Sequence, residues 1–233
     1  MPAPTPSASP DDDQTTRSKR LLLVIAAVVA LSAVVAGFVI FSGGETKSPK
    51  EPVAAVATSG QSLVLGRPSA ATKVVVYEDF GSTASRDFEI ASRDFLLIEA
   101  AQGHVRVEYH PVQLAAGYSQ QALEAWAAVV EHGTPAQVMA FHNRLFDRQP
   151  EATTTLTTDD LERFAVAAGV RKGVVSDGLA SPDTAFVASA RAAARTAGVA
   201  TVPQVLVDGK PLSPGTGVDL ADRLQRQVLE ESR

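Results

Sequence analysis

An apolar segment near the N-terminus constrains this chain more than any other sequence feature. Leu21 to Phe41 is a run of 21 positions without a charged side chain. A helix rises about 1.5 Å per residue, so a helix of this length spans roughly 30 Å, the hydrocarbon thickness of a bilayer. The segment therefore predicts one transmembrane helix, which divides the chain into a short tail and a long C-terminal part.

The charges beside this segment predict its orientation. Arg17, Lys19 and Arg20 precede it, whereas Ser42 and two glycines follow it. Positive residues favour the cytoplasmic side of the cell membrane, so we expect residues 1–20 in the cytoplasm and the rest of the chain outside it. A cleaved signal peptide is the alternative, but its apolar core would be shorter, at roughly 7 to 15 residues.

Composition predicts three further segments. Residues 1–20 are rich in Pro, Ser, Thr, Ala and Asp, which predicts a disordered tail. Residues 42–60 contain several Gly and Pro residues and predict a flexible stalk, so residues 61–233 remain as one folded domain. The acidic and basic residues of the tail cancel, and the net charge of −5 belongs to the part after the apolar segment. A mildly acidic domain is not suited to binding nucleic acid.

Hydrophobic periodicity predicts that this domain is α/β. Thr72 to Asp79 predicts a buried strand, Ser82 to Gln102 an amphipathic helix, and His104 to His110 the next strand. Such a β-α-β order favours parallel pairing of the two strands. The other predicted elements are a short strand at Leu63 to Leu65, helices near Tyr118 to Glu131, Pro135 to Asp147, Thr158 to Ala168 and Asp183 to Gly198, a hairpin from Gln204 to Leu212, and a last helix from Val218 to Glu231.

The turn between the Thr72 strand and its helix carries a known pattern. Residues 79–89 read D-F-G-S-T-A-S-R-D-F-E. This resembles the active site of the membrane-anchored, DsbA-like bacterial thiol-disulfide oxidoreductases, which reads F-x-C-P-x-C-x-x-F-E. The two phenylalanines and the final glutamate keep that frame, whereas Ser82 and Ser85 stand where the family has its two cysteines.

Two later segments carry the same resemblance. F-H-N-R-L-F at residues 141–146 is similar to the family's F-H-x-x-L-F, and G-V-A-T-V-P-Q-V-L-V-D-G-K at residues 198–210 is similar to G-V-x-x-T-P-x-x-x-V-x-G-K. The resemblance covers essentially all of residues 61–233. It implies a thioredoxin-like fold with a helical insertion, preceded here by one transmembrane helix. Val202 departs from the pattern, because the family has threonine before the proline.

The missing cysteines limit the chemistry. The chain contains no cysteine, and thiol-disulfide exchange needs one thiolate to attack and a second thiol to resolve the mixed disulfide. A serine hydroxyl is neutral at pH 7 and has no comparable redox couple. We therefore expect that this polypeptide, acting alone, does not make, break or shuffle disulfides.

Ser82 and Ser85 have two possible roles at the start of the predicted helix. As an N-cap, Ser82 would bind a free backbone N–H and stabilise the helix by about 1 kcal/mol. As a nucleophile, a serine would need a general base and an oxyanion hole, and the sequence contains no G-x-S-x-G elbow. The capping role is favoured.

Val202 and Pro203 are the candidate peptide-binding residues. The resemblance implies that Pro203 is cis and that the residue before it offers backbone groups to an extended peptide, in a manner similar to strand addition. The simpler interpretation is that Pro203 only fixes a turn before an interior strand. The sequence gives the two interpretations comparable weight.

The other polar residues predict no metal site and no cofactor. The histidines lack metal-binding spacing, and we expect them to face solvent or to cap helices; they are His104, His110, His132 and His142. Glu78, Asp79 and Glu89 are adequately explained as solvated surface. The family has a buried acid near its thiols, and the sequence does not identify its counterpart.

The favoured hypothesis is a membrane-anchored protein without thiol redox activity that binds or scaffolds extracytoplasmic polypeptides near Ser82, Val202 and Pro203. One alternative is a thiol-disulfide oxidoreductase in which serine replaces the natural cysteines, or one assigned to that activity by family alone. Another is a structural subunit of a membrane complex.

Overall fold

The computed structural model describes residues 54–151 and 156–231. The expected tail at 1–20, the expected transmembrane helix from Leu21 to Phe41 and most of the expected stalk lie outside these residues. Within the two described ranges, no helix is both long enough and apolar enough to cross a bilayer.

Six strands form one mixed sheet in the order β1-β2-β4-β3-β5-β6. Strands β3 and β4 are parallel, as the β-α-β pattern predicts, whereas β2 pairs with β4 and β5 pairs with β3 in the antiparallel sense. The strands are β1 (Val56–Ser59), β2 (Ser62–Leu65), β3 (Thr72–Glu78), β4 (Val105–Pro111), β5 (Gln204–Val207) and β6 (Lys210–Pro211).

Seven helices in the described ranges accompany this sheet. They are α1 (Thr83–Gln102), α2 (Tyr118–His132), α3 (Pro135–Asp147), α4 (Thr158–Ala167), α5 (Val174–Ala180), α6 (Thr184–Thr196) and α7 (Gly217–Glu231). Helices α2 to α5 pack on one another as an insertion between β4 and the C-terminal α6-β5-β6-α7 segment. The fold is therefore thioredoxin-like with a helical insertion.

Helix α7 begins in close contact with α1. A Cβ atom added to Gly217 would lie 2.3 Å from the Ala84 carbonyl oxygen and 2.6 Å from the Phe88 backbone nitrogen. Both neighbours are backbone atoms, so they cannot rotate away. Glycine at this position therefore lets α7 approach the first turn of α1.

Two short elements differ from the sequence predictions. Strand β1 lies inside the expected stalk, because Val56 to Ser59 pairs with β2 and the Gly66 N–H donates to the Ala55 carbonyl at 2.8 Å. Regular structure therefore begins before residue 61. Helix α5 was not predicted: it has only seven residues, and a glutamate on another helix caps its N-terminus.

One hydrophobic core joins the sheet to the helical insertion. The strand residues Val74, Val76, Val105 and Val107 are buried on one face of the sheet. The same core includes large side chains from α1 and the insertion that are fully buried: Phe88, Trp126, Phe141, Leu145 and Phe146. The insertion is therefore part of the domain's core.

Candidate functional site

Several chain segments meet at one end of the sheet, where strands β3 and β4 finish. Strand β3 ends at Glu78, and the Val112 N–H, just after β4, donates to the Glu78 carbonyl at 2.8 Å. Helix α1 starts a few residues after β3. Because Tyr77 pairs with Gln204 in an antiparallel register, the residues before Gln204 lie beside the end of β3. The turn at residues 79–82, called the Ser82 turn below, and the Val202-Pro203 segment therefore lie at the same end of the sheet.

Ser82 is the N-cap of α1, as the sequence predicts. Its backbone is extended, with φ −88° and ψ 119°, and its Oγ accepts a hydrogen bond from the Ser85 N–H at 3.2 Å. The Ser82 N–H in turn donates to the Asp79 carbonyl at 2.9 Å. The side chain is half-buried and performs a capping role.

Ser85 is fully buried in the first turn of α1. Its Oγ accepts a hydrogen bond from the Asp79 N–H at 3.3 Å. Among residues 54–151 and 156–231, no histidine or carboxylate hydrogen-bonds to the hydroxyl of Ser82 or Ser85. Neither serine has the general base that a nucleophile requires.

Asp79 fixes the turn that precedes α1. Its carboxylate is 1% exposed and accepts three hydrogen bonds: from the Gly81 N–H at 2.8 Å, from the Leu114 N–H at 2.8 Å and from the Ser119 hydroxyl at 2.5 Å. A Cβ atom on Gly81 would lie 2.9 Å from the Ser119 Cβ, so the absence of a side chain there permits this close packing. One carboxylate thus joins the turn, the β4–α2 loop and the start of α2.

Glu78 is completely buried beside Asp79. Its Oε1 lies 2.6 Å from His142 Nε2, and its Oε2 has no hydrogen-bond partner among the described residues. Buried polar atoms are nearly always paired, because an unpaired one costs about 1–3 kcal/mol. Glu78 is therefore a costly residue to keep in this core.

His142 lies between acceptors on both sides of its ring. Nε2 faces Glu78, while Nδ1 lies 3.1 Å from Asn143 Oδ1 and 3.5 Å from Glu89 Oε1. Acceptors that face both ring nitrogens favour the doubly protonated form of the side chain, an imidazolium. Four aromatic rings surround it at centroid distances of 4.9 to 5.9 Å: Phe80, Tyr109, Trp126 and Phe146.

A chain of charges leads from His142 toward solvent. Arg93 Nε binds both carboxylate oxygens of Glu89, at 2.9 and 3.1 Å, and Arg93 Nη2 binds Asp147 at 3.0 Å. The side-chain exposure rises from 1% for Glu89 to 21% for Arg93 and 44% for Asp147. The buried charges are therefore balanced by pairs that reach the surface.

Burial and charge act in opposite directions on the pKa values of this cluster. Burial lowers the pKa of His142, but the charges of Glu78 and Glu89 and the hydrogen bonds to Glu78 and Asn143 raise it above its ordinary value overall. Burial raises the pKa of Glu89, and the charges of His142 and Arg93 offset this only in part. Burial also raises the pKa of Tyr109 well above its ordinary value.

The structure corrects four predictions about polar residues. Glu78, Asp79 and Glu89 were expected at the surface, yet each is at most 1% exposed. His142, expected to face solvent or to cap a helix, is also 1% exposed. Glu78 is paired with His142 and Glu89 with Arg93. Asp79 accepts from two backbone N–H groups and one hydroxyl, and these partners allow the carboxylates to be buried. In the sequence, the burial of His142 was indicated by its position next to Phe141 on the apolar face of a predicted helix.

Two other histidines agree with the prediction. His104 and His132 have side-chain exposures of 49% and 51%. They lie at the surface, outside the cluster around His142.

Val202 and Pro203 stand beside the end of β3. The peptide bond between them is cis, as the resemblance implies. Pro203 is buried, and the half-buried Val202 packs on a small cluster of Val112, Ala194 and Val199. No hydrogen bond within the described ranges involves the backbone of Val202.

A cavity of about 650 Å³ lies beside Gly81. The first turn of α2 lines it, and Tyr118 and Ser119 there already hydrogen-bond to other protein groups. In the part of the chain that the structure describes, no group of three or more His, Cys, Asp or Glu residues could hold a metal ion.

Comparisons with known proteins agree with this architecture. The family model described as thioredoxin matches residues 58–224 of the chain. A search of curated proteins gave no significant match.

Several solved structures share the fold. BdbD from Bacillus subtilis is 20% identical over 78% of this chain and 99% of its own, with a TM-score of 0.64. The thiol-disulfide oxidoreductase MdbA from Corynebacterium matruchotii is 18% identical over 73% and 90%, with a TM-score of 0.59. DsbA from Mycobacterium tuberculosis is 22% identical over 77% and 97%, with a TM-score of 0.56. At these identities, the likeness shows the fold.

Proposed function

Because this chain belongs to the thioredoxin family, we propose that it is a DsbA-like member that binds extended polypeptide segments without exchanging disulfides. Its site is the surface at the end of the sheet that contains the Ser82 turn and the Val202-Pro203 segment. The polypeptides are extracytoplasmic, and Leu21 to Phe41 anchors the domain at the membrane.

The observation that carries the proposal is the backbone of Val202, which lies just before β5 and makes no hydrogen bond within the described ranges. An N–H and a carbonyl in that position are the groups that an extended peptide uses when it adds to a strand. Ser82 and Ser85 stand where similar proteins have their two cysteines. This exchange removes the thiols that form a mixed disulfide and does not alter the backbone of Val202. We therefore propose that the peptide-binding surface is kept, although the thiols needed for disulfide exchange are absent.

We expect the binding to be weak and tolerant of sequence. A short strand addition supplies few main-chain hydrogen bonds and few side-chain anchors, and ordering the peptide opposes it. A dissociation constant on the order of 0.1 to 1 mM corresponds to about −5 to −4 kcal/mol, which is reasonable for so few contacts. Such affinity suits transient holding of unfolded chains.

Photo-crosslinking tests this proposal at weak affinity. Benzoylphenylalanine replaces Thr83, the exposed first residue of α1, and in a matched variant replaces Thr184, the exposed first residue of α6. Each full-length protein, in detergent micelles, is irradiated with a fluorescent, reduced and S-carboxymethylated polypeptide. We expect a severalfold higher crosslink yield from position 83, and equal yields would contradict the proposal.

A second pair of variants tests the strand-addition geometry. Val202→Pro removes the backbone N–H that a peptide would use, whereas Val202→Thr keeps it. With the crosslinker at position 83, the proline variant should lose most of the yield and the threonine variant should not. Thermal unfolding of both variants verifies that they are folded. Unchanged yield in a folded proline variant would remove Val202 from the site.

A further inference from the structure

The ion cluster behind the Ser82 turn has no role in polypeptide binding as proposed above. Glu78, Glu89 and His142 are each at most 1% exposed, and Arg93 completes the group. Two buried carboxylates are balanced by one imidazolium and one guanidinium. Ion clusters at this depth are expensive, and breaking one partner leaves an uncompensated charge.

Within this cluster, Glu78 depends on His142 more than Glu89 does. The Glu78 Oε1 atom contacts His142 at 2.6 Å and its Oε2 atom has no partner among the described residues, whereas Glu89 also has the bidentate contact with Arg93. If His142 loses its charge, Glu78 is the carboxylate left without a cation. Loss of the His142 charge would therefore destabilise the cluster most at Glu78, the last residue of β3.

The end of β3 is connected directly to the Ser82 turn. Asp79 follows Glu78, and its carbonyl accepts from the Ser82 N–H at 2.9 Å. The ring of Phe80 packs edge-on against the His142 imidazole at 5.9 Å. A displacement of Glu78 toward water must therefore move residues 79 to 82.

A route for the proton exists on the Glu89 side. A cavity of about 10 Å³ is lined by Glu89, Arg93, Tyr109, His142 and Asn143 among others, and it has about the volume that one water molecule requires. Arg93 is 21% exposed and connects this cavity with the surface. A proton on His142 Nδ1 can leave through these groups without unfolding the core.

We propose that the Glu78–His142–Glu89 cluster is a proton-operated latch on the turn from Phe80 to Ser82. With His142 charged, both carboxylates stay buried and the turn is held. When His142 loses its proton, Glu78 loses its only cation and moves toward water, and the turn loosens. The evidence for this latch is the geometry of the cluster, and it does not require that the Ser82 turn and the Val202-Pro203 segment bind polypeptide.

The charged and titratable groups facing His142 determine the direction of the response. They are Glu78 from β3, Glu89 and Arg93 from α1 and Tyr109 from β4, with Asp147 of α3 paired to Arg93. Burial lowers the pKa of His142, but these carboxylates raise it above its ordinary value. The latch is therefore closed below that raised value and opens as the pH rises through it.

Trp126 is a built-in reporter for the test, since it is the only tryptophan of the chain and its ring lies 5.9 Å from His142. A protonated imidazole quenches indole fluorescence, so the emission of the full-length protein should rise when His142 deprotonates. His142→Gln should abolish this rise, whereas the surface controls His104→Gln and His132→Gln should retain it. A rise that persists in His142→Gln, or its absence in the wild type, would overturn the proposal.

Hydrogen exchange measures whether the turn responds. After correction for the intrinsic pH dependence, the segment 79–85 should exchange severalfold faster above the fluorescence transition than below it. The α6 segment, on another part of the domain, should not change. If the fluorescence changes while residues 79–85 keep their protection, the cluster titrates but is no latch.

A second variant keeps the test decisive if His142→Gln does not fold. Glu78→Gln preserves size and a hydrogen-bond acceptor but removes one negative charge beside the imidazolium. The fluorescence transition should then move to lower pH by about 1 to 3 units, the usual effect of a charge at this distance. An unmoved transition would show that Glu78 and His142 are not coupled.

Discussion

Removing the Asp79 carboxylate should destabilise the protein strongly. Asp79→Ala takes away the acceptor of three hydrogen bonds, from the Gly81 N–H, the Leu114 N–H and the Ser119 hydroxyl, at 2.8, 2.8 and 2.5 Å. The carboxylate is 1% exposed, so water does not simply replace it. The backbone N–H groups of Gly81 and Leu114 would both lose their acceptor.

The magnitude follows from the number and kind of these bonds. A hydrogen bond to a charged group contributes about 1.5–3 kcal/mol, and an orphaned buried donor costs about 1–3 kcal/mol. The three bonds share one acceptor and are not additive, and Leu114 is 48% exposed, so its N–H can gain a water. We therefore expect Asp79→Ala to lower the free energy of unfolding by about 3–5 kcal/mol. Asp79→Asn should cost less, because its carbonyl still accepts while its amide faces one donor.

Urea unfolding followed by the fluorescence of Trp126 measures this cost. With an m-value of about 1–3 kcal/mol/M, the midpoint for Asp79→Ala should fall by roughly 1 to 5 M. Ser119→Ala, combined with Asp79→Ala in a double-mutant cycle, isolates the bond between them. A change below about 0.5 kcal/mol for Asp79→Ala is typical of a surface residue, and it would refute the role assigned to this carboxylate.

Three other predictions concern the same part of the molecule. As the pH rises from about 6.5, the ordinary pKa of histidine, stability should fall, because the raised pKa of His142 makes the folded state bind more protons than the unfolded one; thermal unfolding against pH measures this, and stability that rises with pH above that value would contradict it. Ser82→Cys with Ser85→Cys should form a disulfide readily under mild oxidant, because both positions lie in the first turn of α1, where a thiolate is favoured; two persistent free thiols by mass spectrometry would count against the alignment of the turn. Gly217→Ala should cost about 1–3 kcal/mol in urea unfolding, because its Cβ meets backbone atoms of α1, and a neutral result would mean that the two helices separate freely.

The longer elements could be predicted because their signals are local. The predicted helix at Pro135 to Asp147 has those bounds in the structure, and the predicted hairpin turn has both Asp208 and Gly209 at positive φ, of 47° and 78°. The N-cap role of Ser82 also followed from its place between a strand and a helix. In each case, neighbouring residues determine the structure.

The buried ion cluster could not be predicted because its partners are distant in sequence. Glu78 and His142 are 64 positions apart, and nothing near either residue indicates the other. A glutamate at a strand end and a histidine on a helix are common at surfaces, so the pairing of the two became visible only with the tertiary packing. Strand β1 was missed for a similar reason, since its four residues gain their structure by pairing with β2.

The order of strands in the sheet affects how the domain folds. Strand β4 can join β3 as soon as α1 has formed, but β5 pairs with the other side of β3 only when about 130 residues beyond the end of β3 have been made. At a synthesis rate of 5–20 residues per second, that edge of the central strand stays unpaired for roughly 6 to 26 s. Non-local pairing of this kind slows folding and leaves a strand edge open to aggregation. The nascent chain is therefore most vulnerable while the helical insertion is being synthesised.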